Sequence, residues 1–227
     1  AVYDHAVVIN SYGYASFGGQ SLRISNAVTS GCFGDQTFSK SLVDEAGETT
    51  GSDAENGGMS GGTRQPYFEA QWDFASTMPG TEQPGLSVVA SPDRGDGARM
   101  SWVQMVDTPG GLEVNFYDYQ ISANPPVGDW VFTQVATGLD RSIPHTIKVT
   151  MLFLDGSEND IVEVYVDGTL MHTGTSWEDY FRQNQPPGTR TVDSILFRTG
   201  GTAAPATAGS GFLIDNLSLF SGSLPVT

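Results

Sequence analysis

The amino-acid sequence predicts an all-β protein in which two antiparallel sheets form a sandwich, accompanied by one short helix. The strongest indication is residues 145–168, where two runs of alternating apolar and polar residues flank a polar insert, the pattern of a long hairpin. The composition agrees, since 28 glycines and 12 prolines suit many short strands joined by tight turns. A lone hairpin buries too little surface to be stable in water, so further strands must cover it.

Within this hairpin, the residues expected in the core alternate with polar ones because successive side chains of a strand point to opposite faces. The expected core residues are Ile147, Val149, Met151 and Phe153 in the first strand and Val162, Val164 and Val166 in the second. Asp167-Gly168 is a favoured turn sequence and is expected to start the next segment.

The chain is expected to form a single domain over residues 1–227, because no linker or shift in composition divides it and all-β domains reach this size. A chain of this length buries roughly three quarters of its unfolded surface. Cys32 is the only cysteine, so no intrachain disulfide can form. Stability must therefore come from packing or from a bound metal.

The charge balance excludes one class of partner. The chain has 26 acidic and 10 basic residues, a formal net charge of −16, whereas nucleic-acid binding requires a basic face. No run of 18 apolar residues is present, so membrane insertion is not expected. The acidity is typical of a protein that is soluble in an extracellular medium, and we expect secretion; some of the carboxylates are also suited to bind cations.

The first half of the chain contains several short strands and one long loop. Residues 6–9 are an apolar first strand, and residues 20–26 form a strand with Arg23 on its polar face. Residues 44–65 lack periodicity and are rich in turn formers, which predicts a long loop.

Residues 67–75 show the clearest polar pattern. Their apolar members, Phe68, Ala70, Trp72 and Phe74, predict a core face. Glu69, Gln71 and Asp73 therefore form a row on the opposite face.

A second polar row is expected in the hairpin formed by residues 100–105 and 111–119. Its members, Glu113, Asn115, Tyr117 and Tyr119, alternate with apolar residues. If both rows lie in one sheet, Glu113 or Asn115 comes within cross-strand reach of Glu69 or Gln71. The alternative is that each row is a solvated sheet face.

The remaining elements complete the sandwich. Residues 86–90 predict a strand and residues 91–97, which include Arg94-Gly95-Asp96, a turn rather than an adhesion ligand. Ser176 with an acid three positions later predicts a capped helix over residues 177–182. Residues 192–198 predict a strand that carries Arg198 opposite its core face, and residues 211–219 predict the final strand.

The order of these elements resembles that of a laminin-G-like or concanavalin-A-like jelly roll. The resemblance rests on residues 145–149, on the strand and turn of residues 164–168, and on the closing stretch 211–219, and it extends from about Gly19 onward. It implies two curved antiparallel sheets, with ligands of many relatives held on the concave face or by the rim loops. Such folds include lectins, glycan-binding modules, glycoside hydrolases and polysaccharide lyases, so the fold alone selects no activity.

The closing strand also resembles those of β-sandwich carbohydrate-binding modules in which an aspartate ligates a structural Ca²⁺, and Asp215 is the matching residue. A carboxylate among apolar neighbours is costly to bury unless it is paired or binds a metal. We therefore expect one structural calcium at Asp215, with an unliganded turn aspartate as the alternative.

Three functions remain open from the sequence. The first is a secreted lectin-like module that binds an extracellular polysaccharide or oligosaccharide on its concave face. The residues expected to bind the glycan are Arg23, Gln71, Asn115, Tyr117, Tyr119 and Arg198. The second is a polysaccharide-cleaving enzyme that uses the same face, and the third is a structural or adhesion domain without a glycan ligand.

The enzyme alternative has two forms. A glycoside hydrolase would use Glu69, Glu113 or Asp73. Glu69 and Asp73 have Cα atoms about 13 Å apart on a regular strand, which fits a catalytic carboxyl pair only with a bulge or converging side chains. Glu69 with Glu113 would fit better if their strands are neighbours. A lyase would use Tyr117 or His145 as base, with Arg23, Arg198 or Gln71 neutralising a uronate.

Overall fold

The computed structural model describes residues 3–29, 36–49, 60–121, 128–185 and 190–224. About half of these residues lie in two antiparallel sheets. Sheet A contains, in spatial order, β1 (His5–Ile9), β2 (Gln20–Ile24), β15 (Phe212–Gly222), β5 (Tyr67–Ser76), β10 (His145–Leu152), β11 (Ile161–Val166) and β12 (Thr169–Gly174). Sheet B contains β3 (Gln36–Phe38), β14 (Ser194–Thr199), β6 (Ser87–Asp93), β7 (Trp102–Thr108), β8 (Gly111–Ile121) and β9 (Gly128–Leu139).

Four smaller elements of the described residues lie outside these sheets. The strands β4 (Ala46–Gly47) and β13 (Thr191–Val192) pair with each other, and the helix α1 spans Glu178–Asn184. A short 3-10 helix occupies Pro205–Thr207. The predicted class, an antiparallel two-sheet jelly-roll sandwich with one short α-helix, is confirmed among the described residues.

The core lies between the two sheets, where the alternating apolar residues of both meet. From sheet A it receives Phe68, Trp72, Ile147, Val149 and Val164; from sheet B it receives Val88, Val103, Val114, Phe116 and Phe197. Trp72 and Phe197 make an edge-to-face contact across the two sheets, with ring centroids 5.8 Å apart. The core residues predicted for β10 and β11 are all buried, so that hairpin prediction is confirmed.

The turn between β11 and β12 explains how the sheet continues beyond the hairpin. Asp167 and Gly168 both have positive φ, 50° and 78°, as a two-residue hairpin turn requires. The Asp167 carboxylate also accepts a hydrogen bond from the Thr146 amide at 2.9 Å and contacts His145 Nδ1 at 2.8 Å. The turn is therefore tied to the start of β10.

The helix differs from its prediction. It spans Glu178–Asn184 rather than 177–182, and Trp177 occupies the N-cap position without a side-chain capping bond. Asp179 does not complete a capping box, because its Oδ2 accepts a hydrogen bond from the Glu158 amide at 3.0 Å. The first helical amide, that of Glu178, donates to the Ser176 hydroxyl at 3.1 Å, so Ser176 still contacts the helix start from the position before the N-cap.

The two polar rows lie in different sheets, so the hypothesis that they share one face is wrong. Glu69, Gln71 and Asp73 are on β5 of sheet A, whereas Glu113 and Asn115 are on β8 of sheet B. Each row points outward, away from the shared core, so they occupy opposite sides of the sandwich. No helix in the described part of the chain is long and apolar enough to cross a membrane.

Candidate functional site: an aromatic cavity beside sheet B

The outer face of sheet A carries the first polar row, and its side chains bond mainly to one another. Tyr67 and Tyr165 donate hydrogen bonds to Glu69 and Glu163 at 2.8 and 2.7 Å. Burial and the neighbouring Glu69 raise the pKa of Tyr67, so its hydroxyl stays protonated. The carboxylates on this face are thus already engaged by the protein.

Asp73 and Gln71 extend this row towards β15. Asp73 accepts hydrogen bonds from the Thr146 hydroxyl at 2.5 Å and from Asn216 Nδ2 at 2.6 Å. Gln71 lies in register between Lys148 on one side and Ser218 on the other. Glu69 and Asp73 lie four positions apart on one strand, and Glu113 is in the other sheet, so the structure brings no two of the three candidate catalytic carboxylates together.

Arg23 and Arg198 are also separated from each other. Arg23 is buried in sheet A, where it binds Asp4 at 2.5 Å and donates to the Ser210 carbonyl at 2.8 Å. Arg198 lies on β14 of sheet B in register with Val89. Two strands separate it from Asn115 on β8, a distance of about 14 Å between their backbones.

The outer face of sheet B is buried over the middle of β6 and β14 and is open over β7–β9. Val89, Ser91 and Leu196, which face outward on β6 and β14, are each 0% exposed. By contrast, Trp130 and Phe132 on β9 are 47% and 52% exposed. Any ligand of this face therefore meets the aromatic side chains at the β7–β9 end.

A cavity of about 700 Å³ lies at this end of the sheet. Its volume is in the range of ligand sites in proteins, about 300–1,000 Å³. The residues that line it come from the β6–β7 loop, from β7, β8 and β9, and from α1 and its flanks: Arg94, Asp96, Gly97, Ala98, Arg99, Trp102, Tyr117, Trp130, Trp177, Tyr180, Phe181 and Gln185. We call it the aromatic cavity.

The aromatic rings of the cavity support each other. Trp130 packs on Trp177 and on Tyr180 with centroids 4.3 and 5.1 Å apart, and Trp102 packs on Tyr117 and on Trp177 at 5.7 and 5.9 Å. The indole N–H of Trp177 donates to the Tyr117 carbonyl at 2.9 Å, which fixes its ring relative to β8. These contacts fix the positions of the rings before a ligand binds, which lowers the entropic cost of binding.

Charged side chains also line the cavity beside these rings. Arg94 and Asp96 form an ion pair at 2.6 Å, and the Arg99 guanidinium lies 5.5 Å from the centre of the Trp102 ring. Burial alone would raise the pKa of Asp96, but the hydrogen bonds from Arg94 and the Ala98 amide outweigh it and hold that pKa below its usual value. Asp96 is therefore ionised at neutral pH and accepts rather than donates hydrogen bonds.

The β6–β7 loop that carries these charges is shaped by one buried carboxylate. Asp93 Oδ1 accepts hydrogen bonds from the amides of Gly95, Asp96 and Gly97 at 2.6, 3.0 and 3.0 Å. Gly95 and Gly97 both have φ of 91°, a conformation that favours glycine. The turn predicted over residues 91–97 is confirmed in part, since residues 91–93 extend β6 and the turn occupies residues 94–97. It places Arg94 and Asp96 at the cavity.

Of the six residues predicted to bind a glycan, only Tyr117 lines the cavity. Tyr119 lies behind it, packed on Trp130 and Tyr180 and 4% exposed. Asn115 lies two positions before Tyr117 on β8, and its side-chain amide donates a hydrogen bond to Gln104 Oε1 at 3.4 Å. Sequence reasoning did not single out Trp102 or Trp177, although three of the chain's four tryptophans line this cavity. Trp177 is also part of the buried core, as Trp72 is.

Asp215, the predicted calcium ligand, is engaged by donors of the protein itself. Its Oδ2 accepts from the Ser21 hydroxyl at 2.6 Å and the Gly18 amide at 3.2 Å, and its Oδ1 accepts from the Asn216 amide at 2.7 Å. N–H and O–H groups that point at a carboxylate do not constitute a cation-ligand set, which requires oxygen lone pairs. Among the described residues, no three His, Cys, Asp or Glu side chains are grouped so that they could hold a metal ion.

The comparisons with known proteins show similarity of fold only. No protein-family model and no curated protein matches the chain. Among solved structures, it is similar to an endo-β-1,4-glucuronan lyase from the fungus Trichoderma reesei, with 13% identity, 96% of this chain and 87% of that chain covered, and a TM-score of 0.46. An alginate lyase of polysaccharide lyase family 7 has 11% identity, coverage of 96% and 86%, and a TM-score of 0.49.

A galectin is also among the similar structures. The galectin LEC-6 of Caenorhabditis elegans has 8% identity and a TM-score of 0.38, with 69% of this chain and 84% of the galectin covered. Similarity at this level carries no assignment of ligand or activity.

Proposed function

We propose that this protein is a carbohydrate-binding β-sandwich that holds a glycan in the aromatic cavity. The observation that carries the proposal is the gathering of Trp102, Trp130 and Trp177 around one cavity, with Tyr117 and Tyr180 beside them. Indole and phenol rings present flat apolar faces with a polar edge, which suits the C–H faces and hydroxyl groups of sugar rings. Arg94, Arg99, Asp96 and Gln185 supply donors and acceptors for hydroxyl groups.

The cavity favours binding over glycoside hydrolysis. Hydrolysis of that kind uses two carboxyl groups on either side of the scissile bond. Among the described lining residues, Asp96 is the one carboxylate, and it is already paired with Arg94. A lyase remains the second candidate, because Tyr117 and Arg99 lie in the same cavity and supply the residue types for proton abstraction and for neutralising a carboxylate.

We further propose that the protein acts outside the cell, where polysaccharides are exposed to it. The net charge of −16 and the single cysteine are compatible with that environment. Detection of the protein in the extracellular fraction of its native source, in the absence of a cytoplasmic marker protein, would support this proposal.

The test is a glycan-array screen combined with product assays on the same polysaccharides. Binding without products supports the binding module. New reducing ends without 235 nm absorbance indicate a hydrolase, whereas unsaturated products at 235 nm indicate a lyase. If no glycan binds and no product forms, the proposal is wrong and the structural or adhesion role takes its place.

A further inference from the structure

Helix α1 separates the aromatic cavity from a second feature, a buried ionic cluster. Trp177, Tyr180 and Phe181 line the cavity. The cluster comprises the acids Glu48, Asp160, Glu178 and Asp179, which are 1%, 5%, 0% and 3% exposed, and the arginines Arg182 and Arg190. One short helix therefore contributes to both.

Two of these acids fasten α1 to the β10–β11 loop through a shared serine. The Ser176 hydroxyl donates to Asp160 Oδ2 at 2.5 Å and accepts from the Glu178 amide at 3.1 Å. Glu178 Oε1 accepts from the Asn159 and Asp160 amides at 3.3 and 3.4 Å. The start of α1 thus depends on two carboxyl groups that lie close together away from water.

The arginines do not balance the acids. Arg182 contacts Glu178 Oε2 at 3.0 Å and also binds Glu48, and Arg190 lies 3.5 Å from Glu48. Four carboxyl groups therefore face two guanidinium groups. The stretches outside the described residues contain no lysine, arginine or histidine, so the side chains there bring no further cation.

The other charged groups near the cluster do not offset its excess of negative charge. Asp155 and Glu158, in the β10–β11 loop, are acidic, and Asp155 accepts a hydrogen bond from the Thr49 amide at 3.1 Å. Arg64 reaches the Glu48 carbonyl at 3.1 Å but is paired with Glu45 at 2.8 Å. An ionised buried cluster would thus carry excess negative charge, which is costly in a low-dielectric interior.

Protonation removes this excess. Burial, followed by repulsion from its acidic neighbours, raises the pKa of Asp160 to about 7 and that of Glu178 to about 7. In the unfolded chain the two groups titrate near 3.8 and 4.5. Between these values the folded state binds more protons than the unfolded state, so the stabilisation is complete below about pH 4 and is lost as the pH rises through about 7.

We infer that Asp160 and Glu178 form a proton-binding site that holds α1 against the β10–β11 loop and thereby keeps the aromatic cavity closed on its α1 side. With a proton on one of the two carboxyl groups, their mutual repulsion is removed, α1 docks, and Trp177, Tyr180 and Phe181 line the cavity. Without it, the like charges repel and the docking weakens. A requirement for one proton makes the equilibrium constant for docking fall about tenfold per pH unit above the pKa.

The test measures α1 docking without any ligand. Thermal unfolding and tryptophan fluorescence of the full chain are recorded from about pH 5 to about pH 8.5, in the parent and in Glu178→Gln. The glutamine keeps the acceptor for the Asn159 and Asp160 amides but cannot ionise. We expect the parent to lose melting temperature and change its emission through a midpoint near pH 7, and the variant to show a flatter profile.

The matched control is Glu158→Gln, which removes one negative charge from the same region at an exposed side chain. It should keep the pH profile of the parent. If Glu178→Gln fails to fold, Asp160→Asn serves as the second variant. A parent profile without a transition near pH 7, or variants that retain the full transition, would overturn the inference.

Only the consequence for glycans rests on the proposed function. If a glycan binds, its affinity should fall above pH 7 in the parent and less so in Glu178→Gln. Failure to bind any glycan with an intact pH profile would refute the proposed function and leave the proton site standing. A flat pH profile with normal glycan binding would refute the proton site and leave the proposed function standing.

Discussion

At the scale of single residues, Asp215 shows how a carboxylate in an apolar strand can be accommodated without a metal. Three protein donors, from Gly18, Ser21 and Asn216, already reach its two oxygens. The predicted calcium therefore has to compete with an existing hydrogen-bond set. It stays a prediction that solution experiments decide.

We expect Asp215→Ala to lower the free energy of unfolding by about 1–3 kcal/mol, because the Ser21 hydroxyl and the Gly18 amide lose their acceptor. Asp129→Ala, which removes an exposed carboxylate on β9, should change it by less than about 0.5 kcal/mol. Chemical denaturation measures both. An Asp215→Ala variant as stable as the parent would contradict this role of the carboxylate.

The calcium prediction has its own readout. If Ca²⁺ binds at Asp215, added Ca²⁺ raises the melting temperature of the parent by mass action, EDTA lowers it, and Asp215→Ala abolishes the difference. If EDTA has no effect, the three protein donors alone account for the half-buried carboxylate.

At the scale of elements, local turns determine how the strands of sheet A continue. Gly168 has φ of 78° and would meet no atom within 4 Å if it carried a Cβ. Its role is therefore conformational rather than steric. Gly19 has equally open surroundings but no positive φ, which makes it a matched control.

We expect Gly168→Ala to destabilise the protein by about 1–2 kcal/mol, because alanine is strained in the left-handed region. Gly19→Ala should be neutral or stabilising by about 0.4–1 kcal/mol through the unfolded state. Equilibrium denaturation of the two variants is the comparison. Equal effects would show that the turn geometry at Gly168 does not limit stability.

The elements also show which parts of the fold could be predicted from the sequence. The β10–β11 and β7–β8 hairpins were predictable, because strict alternation and short connections specify pairing between neighbours in the chain. The sheet membership of β5 was not, since its partners are β10 and β15, far away in sequence. This is why the rows containing Glu69 and Glu113 looked alike in the sequence yet lie in different sheets.

The candidate site was harder to predict for the same reason. Trp102, Trp130 and Trp177 lie on β7, on β9 and next to α1, and only long-range packing brings them together. Single tryptophans in strands are usually core residues, as Trp72 is. The aromatic cavity therefore follows from topology rather than from any local motif.

At the scale of the whole molecule, both sheets contribute to one core, which predicts that the described residues unfold as one cooperative unit. This would agree with the single domain predicted over residues 1–227. Thermal transitions followed by far-UV circular dichroism and by tryptophan fluorescence should coincide below about pH 6.5, where α1 is docked. Two separated transitions under those conditions would contradict the single-domain prediction.

The central claim is that the aromatic cavity, and not the outer face of sheet A, binds the glycan. Trp130 and Phe220 are 47% and 49% exposed on these two surfaces, so they form a matched pair. The most direct test is the affinity of Trp130→Ala and Phe220→Ala for a glycan found on the array, measured calorimetrically at about pH 6. We expect Trp130→Ala to lose about 1–2 kcal/mol, roughly 5- to 30-fold in affinity, and Phe220→Ala to bind like the parent. Unchanged affinity in Trp130→Ala together with a loss in Phe220→Ala would contradict the assignment of the site.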